Sequence, residues 1–86
     1  MRLRECKRRL GALGYRNLHV REGADLLEPD GTMLICTARP ADRTRSSFAT
    51  IVRLPDRGSK ARGHAFEQVL RATTEAHFQQ YPEAAA

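Results

Sequence analysis

The chain has no uninterrupted apolar run long enough to span a bilayer, and its arginine-rich start, Met1 to Arg9, lacks the apolar stretch of a secretory signal. These gaps speak against a membrane role and make a cytoplasmic location the expectation. Cysteine is scarce. Cys6 and Cys36 match no zinc or redox spacing, and each falls on the apolar side of its expected element, so both are expected to be reduced core residues. There is no glycine-rich phosphate loop, no Ser-His-Asp set, no nucleophile motif, no internal repeat and no linker. The expectation is a non-catalytic protein that needs neither metal nor cofactor. Lysine is rare as well, two against thirteen arginines. A guanidinium fork suits phosphate, but GC-rich coding also yields arginine, so placement carries more weight than number.

At 86 residues the chain can bury one small core. A single domain over residues 1–82 is expected, with 83–86 as a frayed tail. Leu3, Cys6, Leu10 and Leu13 fall within about 80° of one another on a helical wheel, an amphipathic first helix for which Gly14 is a left-handed stop. From Tyr15 the period changes to two, with Leu18 and Val20 on one side and His19 and Arg21 on the other. Gly23 is either the turn of a tight hairpin or a bulge in one longer strand, which leaves three or four strands open. Pro29-Asp30-Gly31 is a turn signal, and Met33 to Cys36 form an apolar strand expected to be central and buried on both faces. A polar loop over 39–47 leads to a strand over 48–54. Ser59 is the expected N-cap of a long helix whose stripe is Phe66, Val69, Leu70, Thr73, Ala76 and His77. The fold class is α+β, a two-layer sandwich ordered helix, three or four antiparallel strands, helix.

Residues 39–62 hold the whole net charge of +5: Arg39, Arg43, Arg45, Arg53, Arg57, Lys60 and Arg62 against Asp42 and Asp56. Outside this segment eight cations meet eight carboxylates. Its two basic loops lie at opposite ends of the 48–54 strand, roughly 23 Å apart, beyond the Debye length of about 8 Å, and so form two patches. Ser59 and Lys60 open the last helix, where backbone N–H groups and the positive dipole end suit a phosphate. Lys60, His64, Arg71 and Phe78 share a face of that helix within about 40°. Phe78 is thus a candidate for stacking on a base or for a partner contact, together with Arg71 and Tyr81. His77 sits in the apolar stripe as a packing residue. His19 has no evident partner as a general base. Glu22, Asp25, Glu28 and Asp30 cluster without calcium-loop spacing, as hairpin turns often do.

Gly58-Ser59-Lys60-Ala61-Arg62-Gly63-His64-Ala65-Phe66 resembles the start of the second helix of double-stranded-RNA-binding domains, where a glycine, a serine and lysines open the helix onto a phosphate run. The N-terminal half is similar to HicA-type mRNA interferases, small basic toxins, over Leu10 to Leu13, Gly14-Tyr15, Arg21-Glu22-Gly23-Ala24-Asp25 and Pro29-Asp30-Gly31. That family's catalytic histidine follows the turn glycine, where this sequence has Ala24-Asp25. The resemblance therefore implies the scaffold without the catalytic residue. Both families place a helix-sheet-helix scaffold on RNA.

The sequence thus predicts a nucleic-acid-binding domain, RNA before DNA, that meets backbone phosphates through Arg39, Arg43, Arg45, Arg53, Arg57, Ser59, Lys60, Arg62 and His64. The alternative is a protein-binding module, such as a phage or mobile-element inhibitor, that acts on an acidic partner or as a homodimer. No membrane partner is expected.

Overall fold

A computed structural model describes residues 1–24, 27–28 and 31–85. The order is helix α1 (Leu3–Ala12), strands β1 (Tyr15–Ala24), β2 (Thr32–Pro40) and β3 (Phe48–Leu54), helix α2 (Ser59–Gln80) and a short 3-10 turn, Pro82–Ala85. The strands form one antiparallel sheet in the order β1-β2-β3. This is an α+β fold with three strands. Gly23 is neither a hairpin turn nor a bulge: it is an ordinary ladder residue opposite Met33, and the register irregularity in β1 lies between Tyr15 and Asn17. Asp25, Leu26, Pro29 and Asp30, part of the expected turn and acidic cluster, lie outside the described residues.

Local chemistry accounts for the ends of the elements. Gly14 has φ of 96°, a left-handed conformation that a Cβ would oppose, and it turns the chain from α1 into β1. Its carbonyl accepts the Ala41 N–H at 2.9 Å, tying the start of β1 to the end of β2. The N-cap of α2 is Gly58, not Ser59, which is already helical. Asp56 Oδ1 accepts the Gly58 N–H at 2.7 Å, and a Cβ on Gly58 would stand 2.8 Å from that oxygen, so glycine alone fits the turn unchanged. After Gln80 the chain leaves α2 and enters the 3-10 turn Pro82–Ala85.

Both helices lie on one side of the sheet. Cys6 and Leu10 of α1 and Ala65, Phe66 and Val69 of α2 close over Leu18, Leu34, Cys36, Ala38, Val52 and Leu54. Gly63 permits the close approach of the first residue, since a Cβ there would lie 2.9 Å from the Met1 nitrogen. Cys6 and Cys36 are free and buried, and burial raises both thiols, Cys36 to about 11 with a further contribution from Cys6. They are unreactive packing residues.

Among the described residues no helix lies over the second face of the sheet. β2 is central, as its apolar run suggested, but only Leu34, Cys36 and Ala38 are buried, while Met33, Ile35 and Thr37 on the other side are half-exposed. An apolar run is therefore no proof of two covered faces. β3 alternates cleanly, and Ile51 on its outer side is 62% exposed.

Two outcomes follow from this packing. Leu34→Ala, which empties a fully buried site, should lower the unfolding free energy by about 2–5 kcal/mol in urea titrations, whereas Ile51→Thr should stay within about 0.5 kcal/mol. On α1, Glu5 accepts hydrogen bonds from Arg8 (2.6 and 3.1 Å) and Arg9 (2.9 Å), which hold its carboxyl at about 2 against an ordinary 4.5. A depressed folded-state pKa favours the fold above pH 4.5 and loses that contribution as pH falls through about 2. Carboxyl NMR should show the Glu5 midpoint near 2 in the parent and closer to 4.5 in Arg8→Ala.

Candidate nucleic-acid interface

The helix layer carries a groove along the seam of α1 and α2. The helices run in the same sense, since Arg2 lies beside the start of α2 and Arg9 beside Leu70 and Arg71. A cleft of about 450 Å³ is lined by Met1, Arg2, Ser59, Lys60, Gly63, His64 and Glu67. A second, of about 350 Å³, is lined by Met1, Arg9, Glu67, Leu70 and Arg71. Sharing Met1 and Glu67, the two adjoin.

At its head the groove meets the N-terminus of α2, which has no side-chain cap and no acidic residue in its first turn. The first intrahelical bond there runs from the Arg62 N–H to the Gly58 carbonyl, so the N–H groups of Ser59, Lys60 and Ala61 precede the helical ladder. The Asp56 carboxylate occupies the Gly58 N–H just ahead of this turn and offsets part of the positive dipole end, while the first-turn N–H groups, with no side-chain cap, stay open to an anion. Glu67 lies 3.5 Å from the Met1 nitrogen and 3.8 Å from His64 Nδ1, and is the one carboxylate among the lining residues. Lys60, His64 and Arg71 are all exposed on one face of α2. From Lys60 to Arg71 the helix rises about 17 Å.

The residues expected to meet phosphate are thus divided by the fold. Ser59, Lys60 and His64 come together in the groove, and Arg57 stands in the turn just before it. Arg71, expected as a partner contact, joins the same surface. Arg39 and Arg53 lie on the open face of the sheet, since Arg39 belongs to β2 and not to the following loop. Arg43 is exposed in the β2–β3 loop, at the far end of β3. Arg62 is engaged elsewhere: its guanidinium pairs with Glu22 of β1, tying α2 to the sheet.

Arg45, Phe78 and Tyr81 also have other occupations. The Arg45 guanidinium lies 4.5 Å above the Tyr81 ring and 3.9 Å from Asp42. Phe78, expected to stand free beside Lys60 and His64, is half-buried with its ring 5.3 Å from that of His77. His77 also meets the rings of Tyr81 at 5.3 Å and Tyr15 at 5.5 Å, and Tyr15 meets Phe48 at 6.0 Å. Four of the five aromatic side chains therefore close this end of the molecule, and the fifth, Phe66, is in the core. His77 is 3% exposed, and its Nδ1 shares a 2.9 Å hydrogen bond with the Tyr15 hydroxyl. Burial, then Tyr81, raise the Tyr15 pKa against the lowering by Arg45. His77 is a packing residue, as its place in the stripe predicts, with a polar partner that periodicity could not supply.

Sequence reasoning misses Arg2 and Arg9. Counting charge by segment cancels them, and Arg9 does meet Glu5 of its own helix at 2.9 Å, although the spacing of Arg2 and Arg9 puts both on one side of α1. Among the described residues no group of three metal-ligating side chains occurs, and no helix is long and apolar enough to cross a membrane. No protein-family model, no curated protein and no solved structure matches the chain.

Replacing Tyr15 by Phe leaves buried His77 Nδ1 without its partner. A loss of about 1–3 kcal/mol in unfolding free energy is expected, against a much smaller loss for Arg16→Gln at the exposed neighbouring position, both read by thermal or urea denaturation.

Proposed function

We propose that the protein binds the phosphate backbone of nucleic acid, RNA in preference to DNA, along the seam between its helices. The observation that supports this reading is the pair of adjoining clefts lined by Arg2, Lys60, His64 and Arg71, with Arg9 beside them held by Glu5, opening at the uncapped start of α2. Arginine and lysine at this spacing neutralise successive phosphates, and the α2 N–H groups donate to one more oxygen without reading a base. The preference for RNA rests on the resemblances. Gly58 to Phe66, which resemble the phosphate-facing helix start of double-stranded-RNA-binding domains, include the head of this groove, and the element order is helix, three strands, helix.

Base stacking has little part in this mode, because the aromatic rings are committed to the core and to the His77 cluster. Affinity is then carried by counterion release, and sequence preference is weak. His19 stands on the opposite side of the sheet from the groove, across from Thr37, so nothing in this reading assigns it a catalytic part.

The test is fluorescence anisotropy with a duplex RNA of about 20 base pairs. With three to four phosphate contacts, raising salt from about 50 to about 300 mM should weaken binding on the order of 100- to 1,000-fold. Lys60→Ala with Arg71→Ala should flatten that salt slope by about two contacts, while Arg43→Ala at the remote loop leaves it close to the parent. Salt-independent binding, or a slope lost in Arg43→Ala and retained in the double variant, would refute the assignment.

A further inference from the structure

The uncovered face of the sheet has a chemistry of its own. Its described residues, read across the ladder, are Gly23, Met33 and Arg53 in one row and Arg21, Ile35 and Ile51 in the next. His19, Thr37 and Ala49 follow, and then Asn17 opposite Arg39. Met33, Ile35 and Ile51 make an apolar floor. Arg21 stands at the edge of that floor on β1, and Arg39 lies roughly 13 Å from Ile35 along β2. No carboxylate occurs among the described residues of this face, because Glu22 points to the helix side, where it meets Arg62.

We propose that this face docks an acidic amphipathic helix of a partner protein. The surface is separate from the helix-seam groove, and the inference goes beyond nucleic-acid binding. The outer strands are about 10 Å apart, which is the width of one helix. A helix laid along β2 places its apolar stripe on Met33, Ile35 and Ile51, and carboxylates beside that stripe reach Arg21 at the edge and Arg39 at the end. Charge complementarity selects this occupant. A second copy of the chain, face to face, would bring the Arg21 and Arg39 pairs together with no carboxylate of the described face to separate them. Single-stranded nucleic acid would find no aromatic ring to stack on, since all five lie elsewhere. A duplex would set phosphates against isoleucine and methionine.

The full chain is titrated with a synthetic helix-forming peptide of about 20 residues. It carries leucine at i, i+3, i+4 and i+7 spacing and glutamate on both flanks, and amide NMR shifts are followed. Saturable shifts confined to the rows of β1, β2 and β3 named above are expected. Affinity should fall about tenfold or more in Ile51→Ser and in Arg21→Glu, with no binding of the peptide whose glutamates are replaced by lysine. Both variants should bind duplex RNA with the parent salt slope, which separates this surface from the groove. Absence of saturable shifts at millimolar peptide overturns the proposal. So do RNA-induced shifts on these rows, which would make nucleic acid the occupant. A concentration-dependent dimer abolished by Ile51→Ser overturns it as well, in favour of a second copy.

Discussion

A three-stranded sheet has two faces, and both helices of this chain are spent on the same one. That asymmetry governs the rest of the molecule. It lets a short chain assemble a core from Leu10, Leu34, Phe66 and Val69 without disulfides, because each helix needs only one apolar stripe. It sets α1 beside α2 along a seam, where their outward-facing cations line a common groove. It also leaves the outer face of a hydrogen-bonded sheet in solvent, where Ile35 and Ile51 occupy positions that a larger domain would cover.

Electrostatics in this protein are decided by pairing more than by counting. Arg8 and Arg9 engage Glu5, Arg62 engages Glu22, and Arg45 is drawn between Asp42 and the Tyr81 ring. Exposed pairs of this kind contribute little to stability, but they orient side chains that would otherwise sample solvent. Arg62 lies in the most basic segment of the chain and is nevertheless a structural strut. Arg2 lies outside that segment, where the charges cancel, and nevertheless lines the groove. Linear charge density is a poor guide to a surface when a cation's neighbours in space come from opposite ends of the chain, as Arg2 and Lys60 do.

Much of the architecture was legible because short-range rules write it. The helical spacing of Cys6 and Leu10 marked the buried side of α1, Gly14 marked its end, and the alternation at Leu18 and Val20 marked a strand. The stripe through Phe66, Val69, Thr73 and His77 placed α2 on the sheet. Where local rules were ambiguous, at Gly23 and at the cap of α2, the tertiary environment chose: pairing with Met33 kept Gly23 within β1, and the Asp56 carboxylate selected Gly58. Of the groove, Ser59, Lys60, His64 and Arg71 could be read along one helix, whereas Arg2 and Arg9 share a side of the other helix, and no local pattern tells that this side meets α2.

The amino-acid order by itself determined that this is an α+β domain with a helix at each end of its sheet, since periodicity and turn chemistry act within a few residues. It also determined that arginine supplies most of the cations. Only the folded chain decided which of them share a surface. Arg2 joins the Lys60 and Arg71 side of α2 because two helices pack in the same sense, while Arg39 and Arg53 leave for the opposite face because a strand sends alternate side chains to opposite sides. Such convergence depends on distances through space, which no local pattern encodes.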